Sequence, residues 1–357
     1  MSRRMQAVPA TVFAVLASIA VAGGRSAADV PHPTLRGIRP LGMGDAFVAV
    51  AEDRNALYYN PAGLSNVTRT RISGFGIHGA IDNEFFEVVN FIQEHEDEFS
   101  DLASIDAAFF DELAPYDDRW VGADAGAYLD FTRPGMGLGV YSAGRAQVKV
   151  DRGVYEPRVE ANVLDDIVAV AGGSMHLGRG DVSVGGALKV IWRRQFARAL
   201  TARELVDFQA ADLADRLTGA DSGFSMDLGA LWQPKGSRFS GGAVLRDAAG
   251  TVAGESVGAA FDLGGAWRPS RRVVVAADLR DLFDGNSAFG TKIRLGAEAR
   301  VAVVAFRAGI HQGYPALGAS LGSTLLAVDY AFYGRELGEL PGAESQYLHA
   351  VEARLGF

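Results

Sequence analysis

Residues 345–357 read Ser-Gln-Tyr-Leu-His-Ala-Val-Glu-Ala-Arg-Leu-Gly-Phe. Taken alternately, they place Tyr347, His349, Val351, Ala353, Leu355 and Phe357 on one side and Leu348, Ala350, Glu352, Arg354 and Gly356 on the other. Side chains alternate across a strand with period two, so this stretch is a strand with one apolar and one mixed, charge-bearing face. The same split recurs upstream. Ile293, Leu295, Ala297 and Ala299 oppose Lys292, Arg294, Glu298 and Arg300. Phe224, Met226, Leu228, Ala230 and Trp232 oppose Ser225, Asp227 and Gly229, and Ala123, Ala125, Ala127, Leu129 and Phe131 oppose Asp124, Tyr128 and Asp130.

Fourteen such stretches are expected, near 70–79, 121–133, 136–150, 164–177, 181–195, 222–234, 237–247, 258–268, 271–283, 289–300, 302–312, 315–323, 324–334 and 345–357. Most reach the roughly 9–11 residues that a tilted strand needs to cross a bilayer. Their connections alternate between short turns, such as Arg133-Pro134-Gly135 and Pro234-Lys235-Gly236, and longer links at 80–120, 151–163, 196–221, 248–257, 284–288 and 335–344. Short periplasmic turns, longer outer loops and an even strand count are the pattern of outer-membrane barrels. A soluble sandwich shows alternation too, but it hides its apolar face in a core. Charges on the opposite face of most strands suit a wet lumen instead, so the expected fold is an all-β, transmembrane antiparallel β-barrel of about fourteen strands. An aromatic at the chain end completes the last apolar series, and Tyr347, Val351, Leu355 and Phe357 resemble the C-terminal signal read by the barrel assembly machinery.

Composition agrees. The chain holds 357 residues, with 44 Gly, no Cys, 48% hydrophobic residues and a net charge of −9. Glycine is far above the roughly 7% of ordinary domains, which implies a turn-rich, closely packed backbone. The acidic balance lacks the electrostatic footprint of a nucleic-acid binder, and without cysteine there is no thiolate metal site. No window past residue 28 offers about 18 uncharged apolar residues, so a helical membrane bundle is excluded. Residues 1–28 carry Arg3 and Arg4, an apolar run from Ala7 to Val21 and small residues at Ser26-Ala27-Ala28. That is the layout of a secretory signal peptide, with cleavage expected after Ala28.

Before the first strand, residues 36–66 contain Gly42-Met43-Gly44 and Asn60-Pro61-Ala62-Gly63. This segment closely resembles the N-terminal part of the FadL-like superfamily of outer-membrane proteins and its PorV/PorQ branch. The resemblance implies a hatch folded inside a fourteen-stranded barrel, here residues 29–69 within a barrel of residues 70–357. The residues themselves suit a plug. Gly42 and Gly44 permit close approach, Asp45 is placed to cap a helical run Ala46–Ala51, and Asn60-Pro61 begins a turn.

Residues 83–114 break the strand rhythm with Phe85, Val89, Ile92, Phe99, Leu102, Phe109 and Leu113 at helical spacing among ten carboxylates and no Lys or Arg. An acidic amphipathic cap is expected there, and a second at about 197–217 with Leu200, Leu205, Phe208, Leu213 and Leu217. Their apolar faces either line a groove for a hydrophobic ligand, candidates being Phe85, Val89, Ile92, Phe99, Leu102 and Phe109, or pack on each other and the rim. So acidic an entrance disfavours anions and suits a neutral hydrophobic ligand or a protein partner. Inside, Lys189, Arg193, Lys292, Arg294, Arg300 and Arg354 either meet a polar head group or, as a wet and charge-paired lumen implies, pair with Asp130, Asp227, Asp278, Glu298 and Glu352.

Enzyme signals are weak. Gly318-Ala319-Ser320-Leu321-Gly322, Asp329 and His349 follow a hydrolase order, but the flanks are strand-like where the motif needs a strand-elbow-helix. The six His show no paired metal spacing, and the acidic stretches at 94–98 and 278–284 lack that of a dedicated calcium loop. No cofactor, catalytic residue or metal site is assigned. The resemblance implies passage of hydrophobic small molecules across the outer membrane. Its PorV/PorQ side implies instead a scaffold or shuttle for a secreted protein partner in type IX secretion.

Overall fold

The computed structural model describes residues 32, 35–95, 107–153, 158–178, 180–201, 219–323, 325–338 and 340–356. The signal peptide, Phe99, Leu102, Leu205, Phe208, Leu213, Leu217 and Phe357 lie outside them.

Fourteen long strands form one closed antiparallel barrel: β1 Arg71–Asp82, β2 Arg119–Arg133, β3 Met136–Asp151, β4 Arg158–Leu177, β5 Val182–Thr201, β6 Asp221–Trp232, β7 Phe239–Val252, β9 Ala260–Ser270, β10 Val273–Leu279, β11 Ile293–Val301, β12 Val304–His311, β13 Tyr314–Gly322, β14 Leu326–Glu336 and β15 Ser345–Leu355. The two-residue β8, Glu255–Ser256, pairs only with the end of β7. Each long strand pairs with the next, and β1 closes the ring on β15 with Phe75 opposite Leu355 and Ala80 opposite Ala350. Closure gives every one of the fourteen long strands a neighbour on both sides, which the interior of a bilayer requires because no water is there to satisfy a free edge.

The barrel is inverted relative to a soluble protein. Phe75, Leu129, Leu188, Phe224, Trp267, Phe306, Leu317 and Val351 are exposed, whereas Asp130, Asp166, Lys189, Asp227, Glu298, Arg307 and Glu352 are buried. Along β15 the alternation is complete from Gln346 to Glu352, with Leu348, Ala350 and Glu352 buried and His349 and Val351 exposed. Apolar side chains of this size are stable outside only against hydrocarbon.

Several boundaries differ from the sequence reading. β3, β4 and β5 run to 16, 20 and 20 residues, longer than a bilayer needs, so they project beyond it. Ala197–Thr201, expected to open a helix, is strand, because the β4–β5 ladder continues to Leu200 opposite Val159 and Thr201 opposite Arg158. Strand β11 starts at Ile293, not 289, since Phe289–Lys292 forms a helical turn. The β12–β13 link, on the side of the long loops, is the tight turn Gln312-Gly313.

Among the described residues of the acidic insertion there are two helices, Phe85–Glu94 and Ala107–Leu113. Val88, Phe91, Phe109 and Leu113 make one buried cluster with Val121, Val150 and Val159 at the loop ends of β2, β3 and β4, and Phe85, Ile92, Tyr116 and Val148 pack against it. Tyr128 and Tyr141 point into the barrel, so alternation puts Val121, Val148 and Val150 on its outer face. Apolar strand faces that rise out of the lipid need cover from water, and the helices supply it.

Candidate functional site in the barrel lumen

The segment from Leu35 to Val67 is almost wholly buried and lies across the lumen. It holds a short helix Ile38–Gly42, a second Ala56–Tyr59 and a 3-10 turn Pro61–Asn66. The glycines of this segment sit where backbone meets backbone. A Cβ added at Gly42 would lie 3.0 Å from the Cα of Gly318, and one at Gly44 2.4 Å from the carbonyl oxygen of Leu295. One at Gly63 would lie 2.3 Å from the carbonyl oxygen of Ala51. Gly44 also has φ +61, a left-handed conformation that only glycine adopts freely. On the barrel side, Gly185 and Gly229 receive Pro61, Ala62 and Asn60.

Asn60 is fully buried and fully used. Its Nδ2 donates to the carbonyls of Val48 and Ala230 at 3.0 and 3.1 Å, and its Oδ1 accepts from the Ala62 N–H at 3.1 Å. Pro61 starts the 3-10 turn where a missing N–H costs nothing. Asp45 does not cap a helix over Ala46–Ala51, which is turn rather than helix. It has φ 65, accepts from the Tyr59 hydroxyl at 2.6 Å and faces Arg280 at 3.5 Å. Long-range partners outcompeted the local cap.

Charge fixes the segment to the wall. Arg39 makes a two-pronged pair with Glu298 of β11, both bonds 2.8 Å, and reaches Asp53 at 2.6 Å. Glu298 also accepts from Arg300 and Arg307 at 2.7 and 2.6 Å. Arg54 donates to Asp130 at 2.7 Å, lies 3.6 Å from Glu352 and stacks 3.6 Å from the centre of the Tyr128 ring. Asp278 accepts from the N–H groups of Phe47 and Val48 at 2.6 and 2.8 Å. Lys189 pairs with Asp227 and Asp247 at 2.8 and 2.6 Å, and Arg193 with Asp166 at 2.7 Å. Arg354 lies 3.8 Å from Asp329, whereas Lys292 donates to the carbonyl of Asp284. Most of the charges picked from sequence thus meet partners. Arg39, Arg54, Arg145, Arg307 and Arg335 escaped that reading. For Arg145 and Arg335 the signal was available as charge on the inward face of an alternating strand.

Burial pushes the Asp53 carboxyl up, but the neighbouring Arg39 and the Asn55 N–H outweigh it and hold the group down at about 2. Burial likewise opposes ionisation of Asp45, and Arg280 and Arg36 override it, keeping its pKa well below the usual carboxylate range. Both carboxyls ionise more readily folded than unfolded. Their stabilisation is complete above about pH 4 and is lost as pH falls through the folded values. For Asp53 the depression corresponds to about 2 kcal/mol. Acid protease cleavage within residues 35–67 of the micelle-embedded protein is therefore expected to rise steeply between pH 4 and 2. A flat profile would show that these pairs do not hold the segment.

Among the described residues, cavities flank the segment at both ends of the barrel. One of about 340 Å³ opens toward the long loops and is lined by Leu35, Arg36, Arg145, Arg294, Tyr333 and Arg335 among others. The other, about 240 Å³, lies at the short-turn end beside Arg39, Arg71, Val303 and Ser323. The candidate groove residues Phe85, Ile92 and Phe109 meet in the helical cluster, while the adjacent Phe86 is 62% exposed. Val89 lies on the same helix. Of the terminal-strand residues, Val351 and Leu355 are exposed and Tyr347 stacks on Phe332 with ring centroids 5.8 Å apart.

The hydrolase-like residues do not assemble. Ser320 bonds Asp329 across β13–β14, but His349 bonds the Tyr330 hydroxyl at 2.6 Å and is exposed on the opposite face. Among the described residues no group of three or more His, Asp or Glu is placed to hold a metal ion.

No protein-family profile matches the chain, and no curated protein matches it. Solved structures do. A monoaromatic hydrocarbon channel, the TodX deltaS2 mutant, superimposes with a TM-score of 0.58 at 13% identity, covering 90% of this chain and 99% of that one. The CymD monoaromatic hydrocarbon channel gives 0.51 at 15% identity over 90% and 97%. The Pseudomonas putida toluene transporter TodX gives 0.52 at 11% identity over 92% and 99%. What the chain shares with these channels is the barrel fold, spanned from end to end.

Proposed function

We propose that the chain is an outer-membrane channel for hydrophobic small molecules, exported by a cleaved signal peptide and inserted by the barrel assembly machinery, with residues 29–69 as its hatch. The observation that carries this reading is the inverted, closed barrel with a segment packed across its lumen, in a fold shared with monoaromatic hydrocarbon channels. An open diffusion pore does not fit a lumen so filled. No described feature favours a scaffold for secreted proteins over a channel. Capture is assigned to the loop end, where Phe85 and Phe86 pack at 5.7 Å on the helix over the projecting strands.

Purified protein in neutral detergent is expected to bind apolar aromatic probes saturably. Replacing residues 83–114 with a short linker should weaken that binding. Because those helices also cover strand surface, Phe86→Glu, at an exposed position, serves as the conservative variant and should lower probe affinity about tenfold, the scale of one lost buried aromatic contact. Absence of saturable binding for every hydrophobic class tested would overturn the reading.

A further inference from the structure

The loop-side cavity is not the apolar pocket that a hydrocarbon would choose. Seven Arg and Lys side chains line it against five Asp. One of those carboxylates, Asp166, is taken by Arg193, whereas Asp262, behind the lining, pairs with both Arg246 and Arg280. The imbalance concentrates on the wall formed by Arg36, Arg145, Arg294 and Arg335. Among the described residues Asp124 is the one carboxylate within ion-pair distance of Arg145 and Arg335, at 3.2 and 2.8 Å, and Arg335 also donates to the Gln346 side chain at 2.6 Å. Asp45 is shared with Tyr59 and Arg280. Arg294 makes hydrogen bonds only to the main-chain carbonyls of Thr291 and Ile293, and no described carboxylate lies within ion-pair distance of it. It is nonetheless 6% exposed. The Nε of Arg294 and the Nη2 of Arg335 are buried without an acceptor. Arg36, exposed toward the cavity, makes no hydrogen bond or close ion pair among the described residues and acts on Asp45 only at longer range.

Buried guanidinium groups in excess of their carboxylates are costly unless an anion completes the set. A guanidinium is also the side chain whose planar fork matches a carboxylate or phosphate. The excess on this wall is about two charges, which selects a ligand of two charges over one. The acidic helices at the rim lower the rate of anion approach. Their described carboxylates are solvent-exposed, so salt screens them far more than it screens the buried guanidiniums of the chamber.

We propose that this chamber is a binding site for a compact divalent oxyanion, held by Arg36, Arg294 and Arg335. Phosphate esters, inorganic phosphate and dicarboxylates share that chemistry. The site is independent of hydrophobic capture at the helices.

Calorimetric titration of the full chain in neutral detergent at low salt, with inorganic phosphate, a phosphate monoester and succinate in separate arms, tests the proposal. Saturable binding in at least one arm is expected, and the arm that binds tightest identifies the class. Arg36→Gln and Arg294→Gln should each weaken it about tenfold or more, the usual effect of losing a charge-assisted hydrogen bond. Arg71→Gln, at the other end of the barrel, should not change it. Asp124→Asn should strengthen binding, a sign that general damage to the fold does not produce. Arg36 is exposed and makes no close contact among the described residues, and Arg280 still faces Asp45 in its absence, so Arg36→Gln is the variant least able to disturb folding. No saturable heat in any arm, or unchanged affinity in Arg36→Gln, would overturn the proposal. Apolar-probe binding measured on the same variants separates its failure from failure of the channel reading.

Discussion

Joint replacement of Gly296 and Gly309 by alanine is expected to force the inner segment out of place and turn a closed barrel into a conducting one. A Cβ at Gly296 would lie 2.1 Å from the carbonyl oxygen of Met43, and one at Gly309 2.7 Å from the Gly44 amide nitrogen. Both atoms belong to main chain, which cannot swing aside as a side chain can. Overpacking typically costs about 1–3 kcal/mol at one site, and here two clashes fall on the same turn. Gly265 supplies the control, since a Cβ there meets nothing within 4 Å. In planar bilayers the double variant should show single-channel conductance well above the parent, with faster proteolysis of residues 35–67. Gly265→Ala should behave as the parent. Parent-like silence and protection in the double variant would mean that the close approach does not hold the segment.

Arg54→Met should destabilise the protein by about 3–5 kcal/mol, the cost of leaving buried carboxylates unpaired. The guanidinium neutralises Asp130 and Glu352 together, and the Tyr128 hydroxyl also donates to Glu352 at 2.8 Å. Its stacking on the Tyr128 ring adds a contribution of about 2 kcal/mol when desolvated. Methionine fills much of the space and removes the charge. Urea unfolding in micelles, followed by heat-modifiable migration, measures the loss. Adding Asp130→Asn should restore part of it, because the second change removes the charge that the first stranded. A single-variant effect within about 0.5 kcal/mol would show the cluster to be an incidental surface-like pair.

Strands were the legible part of this chain because alternation is local. Whether Val351 meets lipid and Glu352 the lumen is written in two adjacent residues, and the structure places both as read. Ends of strands were less legible. Phe196 to Thr201 satisfies a helical and an extended pattern alike, and only the ladder with β4, Val159 opposite Leu200, decides between them. Asp45 shows the same limit at a single residue. Its local chemistry suits a helix cap, whereas Tyr59 and Arg280, distant in sequence, take the carboxylate.

The lumen was legible as polar but not as a site. Sequence alone determined a lipid-facing barrel of fourteen strands and a glycine-rich segment ahead of it, since period-two patterning and small residues act through nearest neighbours. Which charges pair, and which guanidiniums are left over around the loop-side chamber, was decided only by folding. Arg294 and Arg335 come from different hairpins and Arg36 from the inner segment, and only closure of the barrel around that segment brings them to one wall. Electrostatic balance is a property of the assembled cavity, so no single stretch of sequence contains it.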